Sequence, residues 1–412
     1  MPVNLLIHVD YCLTPFTQVN NAAIIINDGK IQAVGGISAI SQREKYHVIE
    51  LEGKCAVPGF VDTHISGAAG FDCMHAPEAP ERFAHMSRAL ARHGVTAFTP
   101  TTQTASVDQI RSVLKTLADL IKSGLHPGAV PLGIHLNGPF LSYNKRGAHK
   151  AEYLRDIDLD LAREFCEVAQ GTIKIFTFAP ELKGSVELTR FLVERGISPC
   201  MGHSEANEEQ IMANVEAGCN RCLHLYNGME PLRQRRIGLA AIALIDDRIW
   251  VELIPDGIHS HWGMLRLACR CKNKSKVIGI SNATEAAGLE DGCYHLGDQT
   301  IFVRNGLVNL KDGTIAGSTH FLDENFRNLL IHAELSESDA VTFCSYNPLR
   351  SIGITDRGEI KPGRQADITL LDCRTKEVVM TIIAGRIAYM DREYLNQFDL
   401  PREAFTENPD NW

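Results

Sequence analysis

The chain has 412 residues, of which 44% are hydrophobic and 22% charged, and its formal net charge is -9. This composition is typical of a chain with one large domain and a smaller companion. Dense basic sequence is limited to the short run 233–236, Arg-Gln-Arg-Arg. Nucleic acid and anionic membrane surfaces are therefore not expected as partners.

The start of the sequence lacks a basic segment followed by an apolar one, and no run approaches the ~18 apolar residues of a membrane span. We therefore expect a cytoplasmic protein. The 12 cysteines are scattered without a repeated framework. That pattern favours reduced core thiols over disulfides or a zinc ribbon.

Both ends of the chain have β-like patterns. Near the start, two apolar runs flank Asn27-Asp28-Gly29, a strong signal for a β-hairpin. Residues 366–373 and 378–390 are again short apolar runs bounded by turn residues. Neither end alone would bury much surface, so we predict one small β-sandwich domain formed by residues 1–56 and 355–400, followed by a tail over 401–412.

The middle of the chain, residues 57–354, alternates strand-like and helix-like segments. After Ser106 and Gln109, which suggest a helix start, apolar residues recur at helical spacing. Such alternation implies parallel strands, and eight units predict an α/β fold of the (β/α)8 TIM-barrel type. The eight strand-like segments are 57–64, 94–103, 130–138, 172–181, 196–204, 221–227, 249–257 and 276–284.

Polar residues recur where these segments end. A single polar residue at the end of a strand is unremarkable, but its recurrence on nearly every strand indicates a shared site, because barrel active sites lie at the carboxyl-terminal face. These residues are His64, Gln103, Asn137, Glu181, His203, His224, Asp256 with His259, and Asn282.

The ordered motifs resemble those of the N-acetylglucosamine-6-phosphate deacetylases of the amidohydrolase superfamily, over nearly the whole chain. The resemblance implies an enzyme that acts on an N-acetyl amino sugar or its 6-phosphate, working as a homodimer. The motifs are PGFVDTH at 58–64, HLNGPF at 135–140, KRGAH at 145–149, APE at 179–181, GHSEA at 202–206, HLYNGM at 224–229, DGIH at 256–259, SNAT at 281–284 and AGS at 316–318.

The resemblance implies a metal site in which His203 and His224 are ligands and the third ligand is a glutamate. This chain has Asn137 at that third position. An amide oxygen is a weak metal ligand, so we expect one divalent metal, zinc by ligand type, bound weakly or not at all, and no organic cofactor. His64 is a further candidate ligand, although Ser66 stands where two-metal relatives have a second histidine. The alternative is that the histidines contact substrate by hydrogen bonds.

The family's general base is an aspartate at the position of Asn282, and an amide has no useful basicity. The catalytic candidates are Asn282, His259, Asp256 and Glu285. The resemblance also implies sugar contacts by His149, Asn227, Gly228 and His259, and a phosphate contact by Arg235 that relatives often receive from the partner subunit.

Three functions follow. The first is a deacetylase with an altered metal and base site. The second is a metal-independent, non-hydrolytic enzyme, such as a dehydratase or isomerase, acting on an amino sugar or its phosphate with the histidines as proton carriers. The third, a non-catalytic sugar-phosphate binder, is disfavoured by the many ionisable residues kept at the strand ends.

Overall fold

The computed structural model describes residues 4–40 and 43–409, and has an α/β architecture. The outermost parts of the predicted segments 1–56 and 401–412, together with residues 41–42, lie outside the described residues. Within the described part, no helix has the length and apolar character needed to cross a membrane.

The chain begins with four strands, and the predicted hairpin is confirmed between the second and third. Asp28 and Gly29 form the turn with φ of 50° and 74°, the left-handed region that such a turn requires. The four strands are β1 (Leu5–Leu13), β2 (Gln18–Asn27), β3 (Lys30–Gly36) and β4 (His47–Pro58).

Parallel strands follow, and each of the eight predicted segments contains one. A small antiparallel pair, β6 (Gly67–Ala68) and β7 (Phe71–Asp72), and a short strand, β9 (Val130–Pro131), accompany them. The eight are β5 (Phe60–Ile65), β8 (Val95–Pro100), β10 (Ile134–Asn137), β11 (Ile173–Phe178), β12 (Ser198–Met201), β13 (Arg221–Cys222), β14 (Trp250–Leu253) and β15 (Val277–Gly279).

These strands form two parallel sheets whose edges are joined. Strands β10 to β15 make a six-stranded sheet in chain order, and β5, β8 and β9 make a three-stranded one. A bridge between Thr101 and His135 links the two sheets. At the other edge, the backbone N–H of Asn282 donates to the carbonyl of His64 at 3.0 Å. The ends of the strands are therefore drawn together at one side of the molecule.

Helices separate the parallel strands. The predicted helix after Ser106 is confirmed as α2, and the Ser106 hydroxyl accepts the N–H of Gln109. The helices between strands are α1 (Phe83–Arg92), α2 (Val107–Ser123), α3 (Leu159–Val168), α4 (Ser185–Glu194), α5 (Glu208–Glu216), α6 (Leu239–Ile245) and α7 (Trp262–Cys271). Those after the last parallel strand are α8 (Leu322–His332), α9 (Glu337–Val341), α10 (Asn347–Ser351) and α11 (Arg392–Leu395).

A four-stranded antiparallel sheet lies between β15 and α8, and the sequence did not predict it. Its strands are β16 (Gly292–Leu296), β17 (Gln299–Arg304), β18 (Leu307–Asn309) and β19 (Ile315–Ser318). A parallel bridge between Ala283 and Ser318 attaches β19 to the chain that follows β15. This sheet is therefore held at the carboxyl-terminal ends of the parallel strands.

The two chain ends share one sheet, as predicted. The last strands are β20 (Ile368–Asp372), β21 (Val378–Ile383) and β22 (Arg386–Met390), and the seven-stranded order is β22-β21-β20-β4-β1-β2-β3. Apolar side chains from both ends pack in one buried cluster, including Ile7, Ile24, Ile368 and Met380. Neither end could bury this surface alone.

Candidate active site

A cavity of about 260 Å³ opens at the ends of the parallel strands. It brings together most of the residues that the sequence predicted at strand ends, from loops that are distant in the chain. The predicted residues in its wall are His64, Gln103, Asn137, His149, His203, His224, Asn227, Gly228, His259 and Asn282.

Two histidines in the wall of this cavity contact each other. The Nε2 atoms of His203 and His224 lie 3.2 Å apart, and the rings are perpendicular. His203 donates from Nδ1 to the carbonyl of Lys145 at 2.8 Å, which directs its other nitrogen towards His224. Burial lowers the pKa of His203 to about 4 and that of His224 well below its ordinary value. Both rings are therefore neutral near pH 7 and can offer lone pairs.

The donor set around this pair fits a metal ion in part. Two nitrogens bound to tetrahedral zinc at ~2.0–2.1 Å lie ~3.3 Å apart, close to the spacing of His203 and His224. The Oδ1 atom of Asn137 is buried and has no hydrogen-bond partner within residues 4–40 and 43–409. Two imidazoles and an amide oxygen without a hydrogen-bond partner therefore line the same cavity, although a neutral amide binds metal less well than a carboxylate.

His64, which lies in the cavity wall, forms a second group with His135 and Glu252. Among the described residues, this is the cluster of three His, Cys, Asp or Glu side chains whose ligand atoms all lie within 4.8 Å of one another. Its carboxylate, however, already binds the fully buried Arg221 at 2.7 Å. Both nitrogens of His135 are also occupied, by the Thr63 carbonyl and the Thr177 hydroxyl.

The geometry of this second group favours an orienting role over metal binding. Burial opposes a charge on Glu252, yet Arg221 and His64 hold the pKa of its carboxyl below the usual range. Glu252 Oε2 lies 3.3 Å from His64 Nδ1. A carboxylate in this position fixes the ring orientation of a histidine and leaves its Nε2 available. A cation placed here would also be repelled by the Arg221 guanidinium.

His259 is held between an acid and an amide. Its Nδ1 lies 2.6 Å from Asp256 Oδ2, and its Nε2 lies 3.2 Å from Asn282 Nδ2. Asp256 Oδ1 also accepts the backbone N–H groups of Ile258 and His259. Burial opposes ionisation of Asp256, but the hydrogen bond from His259 holds the pKa of that carboxyl below its ordinary value.

The candidate sugar contacts surround the histidine pair. Gly228 has a φ of 58°, and a Cβ on it would come within 2.7 Å of His203 Nδ1, so a side chain is excluded there. His149 accepts the backbone N–H of Thr104 on Nδ1 and packs edge-on against His203. Asn227 donates to the carbonyls of its own loop.

Three candidate residues lie outside the cavity wall of this chain, namely Arg235, Glu285 and Asp256. Arg235 is exposed on the loop that follows HLYNGM. The carboxylate of Glu285 accepts the backbone N–H of His295, and its Oε1 lies 3.4 Å from that residue's ring. The carboxylate of Glu285 thus fastens the antiparallel sheet, and its catalytic role stays a prediction.

The sequence also missed residues that complete the site. The antiparallel sheet contributes Leu296 and the stretch 314–317 to the cavity wall. The motif at 316–318 was recognisable, but its short strands were not. The buried pair Arg221 and Glu252 had a readable signal, namely one residue of each charge inside two apolar strands.

Comparison with known proteins identifies the family. The amidohydrolase family model matches residues 55–388. An N-acetylglucosamine-6-phosphate deacetylase of Bacillus subtilis (strain 168) is 36% identical over 400 residues, covering 95% of this chain and 99% of the relative. An N-acetylgalactosamine-6-phosphate deacetylase of Escherichia coli O157:H7 is 33% identical over 348 residues, covering 84% of this chain and 91% of the relative.

Two solved structures similar to this chain belong to the same family as these relatives. A mutant N-acetyl-D-glucosamine-6-phosphate deacetylase of Mycobacterium smegmatis, in complex with N-acetyl-D-glucosamine-6-phosphate, has a TM-score of 0.88 and 30% identity, covering 94% of this chain and 100% of that one. The Thermotoga maritima N-acetylglucosamine-6-phosphate deacetylase has a TM-score of 0.83 and 33% identity, covering 93% of this chain and 99% of that one. The chain therefore belongs to the N-acetylglucosamine-6-phosphate deacetylase family of the amidohydrolase superfamily.

Proposed function

We propose that this protein is a deacetylase that hydrolyses the acetamide of an N-acetyl amino sugar 6-phosphate to acetate and a free amine. The observation that carries the proposal is the facing pair His203 and His224, set in a cavity whose wall also holds the candidate sugar contacts. Family membership supports the same reaction, because the relatives above are named for it.

In this proposal one divalent metal, zinc by its ligands, is held weakly by His203, His224 and the amide oxygen of Asn137. When bound, it would polarise the acetamide carbonyl and acidify the attacking water. His64 also lines the cavity, oriented by Glu252, and is a secondary candidate ligand. The neutral amide at 137 makes occupancy weaker than a carboxylate would.

His149, Asn227, Gly228 and His259 are proposed to hold the sugar, because they line the cavity together. Arg235 is proposed to bind the phosphate of a substrate in the partner subunit of a homodimer. Its exposure, away from its own cavity, supports a contact in trans. A guanidinium suits such a bidentate phosphate contact.

The fold of the proposed enzyme is a (β/α)8 barrel over 57–354, with the small domain formed by 1–56 and 355–400. The backbone hydrogen bonds that residues 282–283, just after the last parallel strand, make with the end of the first one support closure of the barrel. We propose a cytoplasmic location, where phosphorylated amino sugars are metabolised.

A second candidate is metal-independent, non-hydrolytic chemistry, such as dehydration or isomerisation of the same sugars. It is favoured by one observation: the cavity wall, as far as the structure describes it, contains histidines and amides but neither Asp nor Glu. Asn282 in particular has no basicity to activate water.

Acetate release decides between the two candidates. Purified protein, supplied in turn with zinc and cobalt, should release acetate from N-acetylglucosamine 6-phosphate or N-acetylgalactosamine 6-phosphate. Both sugars are included because relatives are named for each. The variants His203→Ala and His224→Ala should lose the activity, whereas His47→Ala, at an exposed position on β4, should keep it. Sugar conversion without acetate would instead support the second candidate.

A further inference from the structure

We propose that His259, held by Asp256, is the general base of the reaction, and that Asn282 keeps His259 in its neutral, basic form. The proposal rests on the proposed function, because it names the group that takes the proton during deacetylation. It transfers the role of the aspartate that the family resemblance implies at position 282 to a neighbouring ring.

The hydrogen bonds of Asp256 fix the tautomer of His259. An ionised carboxylate only accepts hydrogen bonds, so the 2.6 Å contact places a proton on His259 Nδ1. The other carboxylate oxygen accepts the N–H groups of Ile258 and His259 at 2.8 and 2.9 Å. Asp256 cannot turn away without losing these bonds, so the basic lone pair of the neutral ring is at Nε2.

Asn282 completes the arrangement from the other side. Its Nδ2 lies 3.2 Å from His259 Nε2, and an amide nitrogen only donates, so it pairs with the lone pair of a neutral ring. A carboxylate at position 282 would instead favour a proton on Nε2. His259 would then be an imidazolium between two acids and unable to accept a further proton.

The chemical step balances without a further reactant. Water displaces the Asn282 amide from His259 Nε2 and gives this nitrogen a proton, while the water oxygen forms a bond to the acetamide carbonyl carbon. The C–N bond then breaks, and the imidazolium returns that proton to the departing amine nitrogen. Asp256 stays ionised and stabilises the transient imidazolium. Both His259 and Asn282 line the cavity, where the sugar would lie.

Kinetics of four variants test the proposal: His259→Gln, Asn282→Asp, the double variant and the control His47→Gln at an exposed position. His259→Gln should lower kcat by ~10²–10⁴, a larger factor than any rise in KM from the lost sugar contact. The double variant should recover at least about tenfold over His259→Gln, because a carboxylate at 282 can then take the proton. A rise in KM with an unchanged kcat, or a double variant no better than His259→Gln, would overturn the proposal.

A second measurement does not depend on turnover. In protein with ¹⁵N-labelled histidines, long-range ¹H–¹⁵N spectra near neutral pH should show His259 protonated only at Nδ1, and at both nitrogens in Asn282→Asp. Protonation at Nε2 in the unaltered protein would refute the base while leaving deacetylation intact. The expected tautomer without any acetate release would refute the proposed function and the base together.

Discussion

His203 Nε2 and His224 Nε2 lie 3.2 Å apart, although the two residues follow different parallel strands. Without a metal, one ring must donate to the other, because two lone pairs at this distance repel. His203 already uses its Nδ1 proton on Lys145, so His224 is the donor. The Nδ1 of His224 then faces no partner among the residues that the structure describes.

The first prediction concerns metal content. Protein purified without chelator should hold less than one equivalent of zinc, and dialysis should remove it readily, because Asn137 offers only a neutral oxygen. His203→Ala and His224→Ala should abolish the bound zinc in elemental analysis, while His47→Ala should not. Stoichiometric zinc that survives in His203→Ala would contradict a site built on this pair.

The second prediction restores the carboxylates. Asn137→Glu together with Asn282→Asp should raise deacetylation by orders of magnitude, because the first change strengthens the metal site and the second supplies a carboxylate that takes the proton in place of His259. Asn137→Glu alone should raise zinc affinity, because a carboxylate replaces a buried amide oxygen that has no partner. Titration calorimetry and acetate release measure the two effects. No gain in either would mean that the surrounding cavity has been rebuilt for another reaction.

The strand ends were predictable because apolar periodicity locates parallel strands, and parallel strands gather their carboxyl ends at one face. The hydrogen-bond partners of each side chain were not predictable from the sequence. His259 meets Asn282 through loop backbone that no local pattern specifies, and Asn282 has a φ of 53°. Glu285, three residues further, turns instead onto the backbone of β16. Strands β16–β19 escaped prediction because they are short and partly exposed, so their apolar pattern is weak.

The third prediction concerns the buried ion pair of Arg221 and Glu252. Glu252→Gln should destabilise the fold by ~3–5 kcal/mol, because it leaves the fully buried Arg221 without a counter-charge. Arg221→Met with Glu252→Met should cost less, since no charge remains unpaired. Urea unfolding followed by circular dichroism measures both. The exposed pair Asp160 and Arg163 provides the control, and Asp160→Asn should change stability by less than ~1 kcal/mol. Equal losses of unfolding free energy in Glu252→Gln and Asp160→Asn would contradict this account.

The fourth prediction concerns acid stability. Burial lowers the pKa of His203 to about 4, below the ~6.5 of an unfolded histidine, so the unfolded chain binds the proton first as pH falls. The contribution of neutral His203 to the free energy of unfolding is complete above about pH 6.5 and is lost between about pH 6.5 and about pH 4. Between pH 7 and 5, metal-free His203→Gln should therefore lose about 2 kcal/mol less unfolding free energy than the unaltered protein.

Buried acids make the comparison with a variant necessary. Burial raises the pKa of Asp62 and Asp72 to about 6, so these carboxyls bind protons first in the folded state and stabilise it as pH falls. Their contribution opposes that of the histidines in a simple pH titration, but it cancels in the difference between the unaltered protein and His203→Gln. Urea unfolding at several pH values, with chelator present, gives that difference. Parallel curves for the two proteins would show that His203 takes up its proton equally in the folded and unfolded states.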